Sequence, residues 1–311
     1  MVRHWWKAKA LVKEGILFCL YWSGIGVLYR RFGGSGKSVI FCYHTASPDQ
    51  LAVYPNNVVE EAAFRRQMRY LHRHCTVVAL EACVDRLRAG DGAGRGFVAL
   101  TFDDGYKSCL QTVAPILREQ GFPATFFISP GFIDRHQPKW DDWLYFAMKP
   151  FDKRAFRAGK SEVDRRLAQL EPAADDAMQA TKQACADALL TWEDVRSLHA
   201  QGHSIQSHSL NHYYLSTQTP EEQELELTGA RRRLEEMLGN SVRLLAYPFG
   251  WAGSYDAETR AIARRTGYAA AFTAEPGYVE DSPDLFSIRR MGIARDTPFW
   301  KFKLMLSGLY F

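Results

Sequence analysis

Short apolar runs rich in β-forming residues punctuate the chain at 38–44, 97–102, 124–129, 203–207, 242–246 and 269–273. Each is bounded by glycine, proline or polar residues, which is the pattern of buried strands. Residues 77–80 read as a further short strand. Between these runs the period becomes helical. Residues 59–74 place Phe64, Met68 and Leu71 on one face, and 81–88, 107–120, 221–238 and 257–266 also read as helices. The punctuation agrees. Gly121-Phe122-Pro123 stops one helix and Gly239-Asn240 another, while Thr191 to Asp194 form a capping box that opens a helix reaching Ala200. Strand, helix and strand joined by short connections imply a parallel sheet with right-handed crossovers. About seven such strands favour a barrel over an open sheet. Residues 131–190 alone break the alternation, with aromatics among acids at 140–146 and a charged, alanine-rich helical stretch at 154–190. They read as a helical insertion, a lid or a substrate wall.

Composition changes this picture little. With 311 residues and 47% hydrophobic content the chain has ample core for one large α/β domain or two smaller ones. The net charge of +4 is mild, and without a basic-aromatic patch no nucleic-acid partner is expected. Six cysteines (19, 42, 75, 83, 109 and 185) form no CxxC pair, which suits buried thiols or a reducing location. The N-terminus stands apart. Residues 15–29 are free of charge and rich in aromatics, with Arg3, Lys7, Lys9 and Lys13 before them and Arg30 and Arg31 after. The stretch is short for a span, which takes about 20 residues, and has no small-residue cleavage site. Two readings stand: a helix lying at a membrane surface, with 302–311 as a second contact, or a helix packed on the domain's own core. The first divides the chain into a membrane-associated segment at 1–37 and a domain at 38–311, held at a bacterial inner membrane on a face the sequence does not give.

The candidate chemistry begins at the end of the run 97–102, where Asp103 and Asp104 are followed by Gly105. Adjacent side chains on extended backbone point opposite ways, so both carboxylates face one cleft only if the chain turns there, which Gly105 permits. One acid could then hold a metal and the other accept a proton; equally, Asp104 could cap the next helix. His208 and His212 follow the run 203–207 at a spacing that puts both imidazoles on one side of a helical turn, as a metal needs. Two solvated loop histidines are the alternative. Tyr247-Pro248-Phe249-Gly250 by itself is a turn.

Taken in order, TFDDG at 101–105, SHSLNH at 207–212 and YPFG at 247–250 resemble the polysaccharide deacetylases, the NodB-homology group or carbohydrate esterase family four. The resemblance spans roughly residues 38–295, with GFPATFFIS at 121–129 in support. It implies a distorted (β/α)7-type barrel and a metal-dependent N-deacetylase. Asp103 matches the general base. Asp104, His208 and His212 match the ligands of one divalent ion, usually zinc, with cobalt, nickel or manganese as alternatives. Tyr247, Pro248 and Phe249 match a groove wall, and the Phe249 N–H matches an oxyanion donor. Two departures matter. The arginine that many members carry in the third motif is replaced by Ala246-Tyr247, so Arg289 or Arg290 is expected to supply the guanidinium. No histidine follows His212, so the general acid falls to His44 of the Tyr43-His44 pair, as in poly-N-acetylglucosamine deacetylases with permuted motif order. The other histidines are expected to be structural or solvent-facing. The implied substrate is an N-acetylated amino sugar of an envelope polysaccharide or of a lipid-linked precursor. A deformylase or deacetylase of a lipid-linked monosaccharide is an alternative, and so is a non-catalytic carbohydrate-binding protein, against which the intact Asp103, Asp104, His208 and His212 argue. Oligomeric state is not legible.

Overall fold

The structure is a computed structural model, and it describes residues 15, 17, 18, 22, 23, 37–91, 96–148, 159–170, 175–281 and 283–310. In chain order its strands are β1 Val39–Tyr43, β2 Thr45–Ser47, β3 Val58–Glu60, β4 Thr76–Val77, β5 Phe97–Phe102, β6 Thr125–Ile128, β7 Ser204–Ser207, β8 Leu244–Ala246, β9 Ala270–Phe272 and β10 Met291–Gly292. Its helices are α1 Glu61–His74, α2 Leu80–Ala89, α3 Ala114–Gln120, α4 Pro130–Arg135, α5 Trp140–Ala147, α6 Lys160–Leu170, α7 Asp176–Asp187, α8 Trp192–Ala200, α9 Pro220–Leu238, α10 Ala257–Arg265 and α11 Phe299–Met305.

The main sheet runs in the order β10-β1-β5-β6-β7-β8-β9 with every pairing parallel, and β4 adds to β5. Its two ends are stitched by one short segment: Ile288 bridges Phe272 of β9, and Met291 pairs with Phe41 of β1. The result is the distorted (β/α)7-type barrel, closed by a few backbone bonds instead of a full-length strand.

Alternation along the strands explains the two sides of the sheet. Tyr43, Phe102 and Phe126 stack across β1, β5 and β6 at centroid separations of 5.4 and 5.1 Å and face the helical layer. The residues between them, Ile40, Ala99 and Phe127, pack with Ala246 and Phe272 on the inner side. Thr101 and Asp103 share the parity of Ala99, so β5 delivers Asp103 to the barrel interior. Fully burying an aromatic of this size contributes about 1.5–3 kcal/mol.

Most expected elements form, including the capping box in which the Thr191 hydroxyl accepts from the Asp194 N–H. Several differ. The stretch 107–120 opens with a π-turn over Cys109–Val113 before α3 begins. The strand expected at 77–80 is β4 at Thr76–Val77, because Leu80 already starts α2. Neither β10 nor α11 was expected. In α11, Phe302, Leu304 and Met305 are buried, and Phe302 stacks on Phe41 at 5.0 Å, so these three side chains at the start of the C-terminal run face the core. The membrane expectation for 1–37 rests almost entirely on residues outside those described. Among the described ones, Phe18 packs its ring on Trp300 at 5.7 Å, and no helix is long and apolar enough to cross a membrane. Cys42, Cys83, Cys109 and Cys185 are buried free thiols; Cys19 lies outside the described residues.

Candidate active site

The site is assembled at the carboxyl ends of β1, β5 and β7. Asp103 continues β5, its N–H bonded to the Tyr43 carbonyl at 2.9 Å. The chain then turns at Asp104 itself, which has a φ of 77°, and continues left-handed at Gly105. That turn starts one residue earlier than Gly105 requires. It sends the Asp104 carboxylate into the same cleft as Asp103 and away from the following helix, whose start has no side-chain cap. The capping reading of Asp104 therefore fails.

His208 and His212 are not on a helical turn. They lie in the loop after β7, where Ser209 and His212 both have positive φ (59° and 57°). The loop is held by the buried Glu226 of α9, which accepts from the N–H groups of Leu210 (3.1 Å) and Asn211 (2.8 Å) and from the Asn211 amide (2.7 Å). Loop curvature, not helical pitch, brings the two imidazoles to a centroid separation of 4.9 Å. The His208 Nδ1 lies 2.8 Å from the Ala246 carbonyl. A carbonyl only accepts, so Nδ1 carries the proton and Nε2 presents a lone pair.

Asp104 Oδ1 lies 3.5 Å from His208 Nε2 and 3.2 Å from His212 Nε2. It is buried and has no hydrogen-bond partner. One ligand atom from each of Asp104, His208 and His212 falls within 4.8 Å of the others. A buried, unsatisfied carboxylate oxygen facing two imidazole nitrogens fits a divalent cation, and two histidines with one carboxylate leave coordination positions open, as catalytic zinc sites do. Burial alone would raise the Asp104 carboxyl, but the Lys139 ammonium and the two histidines hold it well below the usual carboxylate range.

Asp103 is held differently. Arg290, with no exposed surface, donates from both terminal nitrogens to the carboxylate at 2.8 and 2.7 Å. The same guanidinium is fixed by the Thr273 carbonyl at 2.8 Å and the Thr101 hydroxyl at 3.1 Å. Burial opposes ionisation of Asp103, yet Arg290 beside it leaves the carboxyl below its ordinary value. Of the two arginines expected to replace the motif arginine, Arg290 reaches Asp103, whereas the Arg289 side chain is about half exposed and lies 3.9 Å from Glu275. Arg290 is held against Asp103 and is not in the groove wall.

His44 follows β1 and lines the same cavity, its Nε2 3.9 Å from Asp104 Oδ2. Withdrawal from water lowers its pKa against the opposing pull of Asp104 and Asp103. Phe249 has a φ of 62° and lays its ring 4.7 Å from His212 and 4.5 Å from Tyr214. Gly250 follows, also left-handed, where an added Cβ would sit 2.5 Å from the Ala274 nitrogen, so only glycine fits. Tyr247 is buried behind this wall, stacked on Tyr255 at 4.3 Å with its hydroxyl donating to the Phe286 carbonyl, and Pro248 is buried beside it. Of the three, Phe249 lines the cavity, which measures about 490 Å³. That volume lies within the range of small-molecule sites.

Three charged residues of the insertion enter the site without having been expected there. Lys139 is 1% exposed and places its ammonium 2.5 Å from Asp141, 3.5 Å from Asp104 and 3.9 Å from Asp142. Asp142 accepts from the Tyr54 N–H at 2.6 Å and the Tyr106 hydroxyl at 2.9 Å. The one signal in the sequence was their setting, Lys139 to Trp143, where charges alternate with tryptophans.

A sequence model described as Polysaccharide deacetylase matches residues 91–271, more than half of the chain. The chain belongs to the polysaccharide deacetylases. These are carbohydrate de-N-acetylase hydrolases, and the matched segment of this deacetylase holds Asp103, Asp104, His208 and His212, whereas His44 and Arg290 lie outside it. The protein YxkH of Bacillus subtilis (strain 168), whose name assigns it to the polysaccharide deacetylases, is 24% identical over 83% of this chain and 72% of its own. Among solved structures, the deacetylase PplD of Streptococcus pyogenes in complex with acetate matches with a TM-score of 0.63 at 20% identity, covering 88% of this chain and 98% of that one. IcaB from Ammonifex degensii matches with a TM-score of 0.63 at 20% identity over 88% and 97%. These two likenesses concern the fold.

Proposed function

We propose that this deacetylase removes the N-acetyl group from amino sugars of an envelope polysaccharide or its lipid-linked precursor, using one divalent cation held by Asp104, His208 and His212. The observation that carries the reading is the buried, unpartnered Asp104 Oδ1 facing two imidazole nitrogens beside a separately held Asp103. A zinc-type cation there would lower the pKa of a coordinated water and polarise the amide carbonyl. The chain's own residues divide the rest. Asp103, kept ionised by Arg290, takes a proton from the attacking water. The Phe249 N–H serves the oxygen on which charge develops. His44, which lines the same cavity, delivers a proton to the departing amine nitrogen. Hydrolysis thus moves one proton from water to amine, taken up by Asp103 and delivered by His44. Phe249 and Trp251, which line the cavity with the buried Tyr214 packed against both, receive the face of a sugar ring.

The test is amine release by the purified chain from polymeric and from lipid-linked N-acetyl amino sugars, compared with His44→Ala. The expected outcome is turnover on at least one of these substrates. It should fall by about 10²-fold or more in His44→Ala, while KM and metal content stay near those of the parent. A His44→Ala variant with unchanged turnover removes His44 from the reaction. Absence of amine release from every N-acetyl sugar tried overturns the substrate reading.

A further inference from the structure

The two candidate histidine ligands are oriented in different ways. His208 Nδ1 bonds to a backbone carbonyl at 2.8 Å. His212 Nδ1 is buried and has no hydrogen-bond partner. The group it faces is Asp141 Oδ1, at 4.0 Å, and that oxygen is also buried and unpartnered. Buried polar atoms in folded proteins overwhelmingly find partners. Here a donor site and an acceptor site confront each other about 1 Å beyond bonding range.

The rest of the local structure fits this pairing. Asp141 lies in the first turn of α5, and its other oxygen is gripped by the Lys139 ammonium at 2.5 Å, which fixes the direction of the carboxylate. Its neighbour Asp142 is already engaged by the Tyr54 N–H and the Tyr106 hydroxyl, so it does not compete for the imidazole. On the other edge of the ring, His212 Nε2 faces Asp104 Oδ1 at 3.2 Å.

We propose that Asp141 is the positioning residue of His212: its carboxylate accepts the Nδ1–H, fixes the tautomer that leaves Nε2 as the donor atom, and makes the imidazole a stronger ligand. Lys139 holds Asp141 in place and balances its charge. The insertion, expected as a lid or wall, thereby supplies part of the cation site. Carboxylates in this relation to a ligating histidine typically change metal affinity by about 10–100-fold. The inference rests on the reading of Asp104, His208 and His212 as the cation site, and the experiment separates the two.

Zinc affinity is measured on the full chain by competition with a chromophoric chelator, for the parent, Asp141→Asn and His212→Ala. Asp141→Asn is expected to bind one ion per chain about 10–100-fold more weakly than the parent, with an unchanged far-UV circular dichroism spectrum. A folded Asp141→Asn that binds as tightly as the parent overturns the proposal. If that variant does not fold, nitrogen-15 NMR of the zinc-loaded parent decides: a slowly exchanging, far-downfield Nδ1 proton on His212 supports the proposal, and an Nδ1 proton in free exchange with water overturns it. A parent chain that binds no ion would overturn the cation reading itself, a result distinct from an unaltered Asp141→Asn.

Discussion

In Asp103→Asn, amine release is expected to fall by about 10²-fold or more, the usual scale for a lost general base, while the bound ion stays. The carboxamide keeps the size of the carboxylate but lacks an oxygen basic enough to take a proton. The proposed cation donors Asp104, His208 and His212 are separate side chains, and Asp103 is not within their cluster. Asp104→Asn should behave differently, because it weakens the one carboxylate donor and so lowers both metal content and turnover. Metal analysis by plasma emission beside a fluorescent amine assay reads both quantities on the same samples. If Asp103→Asn loses the ion and Asp104→Asn keeps it, the two roles are exchanged.

Replacing Arg290 by methionine is expected to cost about 3–5 kcal/mol of stability, because it leaves a buried carboxylate without its countercharge. It should also change the response to pH. In the parent the Asp103 pKa is depressed, so its contribution to stability is present above the unfolded carboxylate value of about 3.9 and is lost only as pH falls through the lower folded value. Without Arg290, burial is the largest influence left and raises the Asp103 pKa. The variant then becomes less stable as pH rises from about 3.9, and the acid limb of its kcat/KM profile moves to higher pH because the base must first lose a proton. Thermal melts and pH–rate profiles of Arg290→Met check both. A variant as stable as the parent, with an unshifted acid limb, would mean that the 2.7 and 2.8 Å contacts to Asp103 carry no weight.

These effects show which parts of the molecule a sequence reveals. The run at 97–102 was legible because a strand buried along its whole length must be apolar, and the two aspartates because adjacent carboxylates at the end of such a strand stand out against it. The pair His208 and His212 was legible as a pair, though by the wrong geometry, since helical spacing and a loop with two left-handed residues bring the rings equally close. Asp104, Ser209, His212 and Phe249 account for four of the five non-glycine residues with positive φ among those described. Backbone strain gathered at a site is a common mark of function, yet none of these residue types announces it. Arg290 could be narrowed to one of two neighbours, and only burial separates it from Arg289. Lys139, Asp141 and Asp142 escaped notice because charged residues in an insertion are ordinarily solvated. They are buried here because Asp104, the Tyr54 N–H and the Tyr106 hydroxyl give their charges partners. The strand β10 is two residues long, too short for any periodicity to mark.

The central claim, that Asp104, His208 and His212 hold the ion on which amide hydrolysis depends, is tested most directly by stripping the purified chain with a chelator, titrating zinc or cobalt back and following amine release at each step. The account predicts no release from the stripped chain, recovery in proportion to bound ion up to one per chain, and neither binding nor recovery in His208→Ala or His212→Ala. Full amine release from the stripped chain, or undiminished metal and activity in both alanine variants, would contradict it.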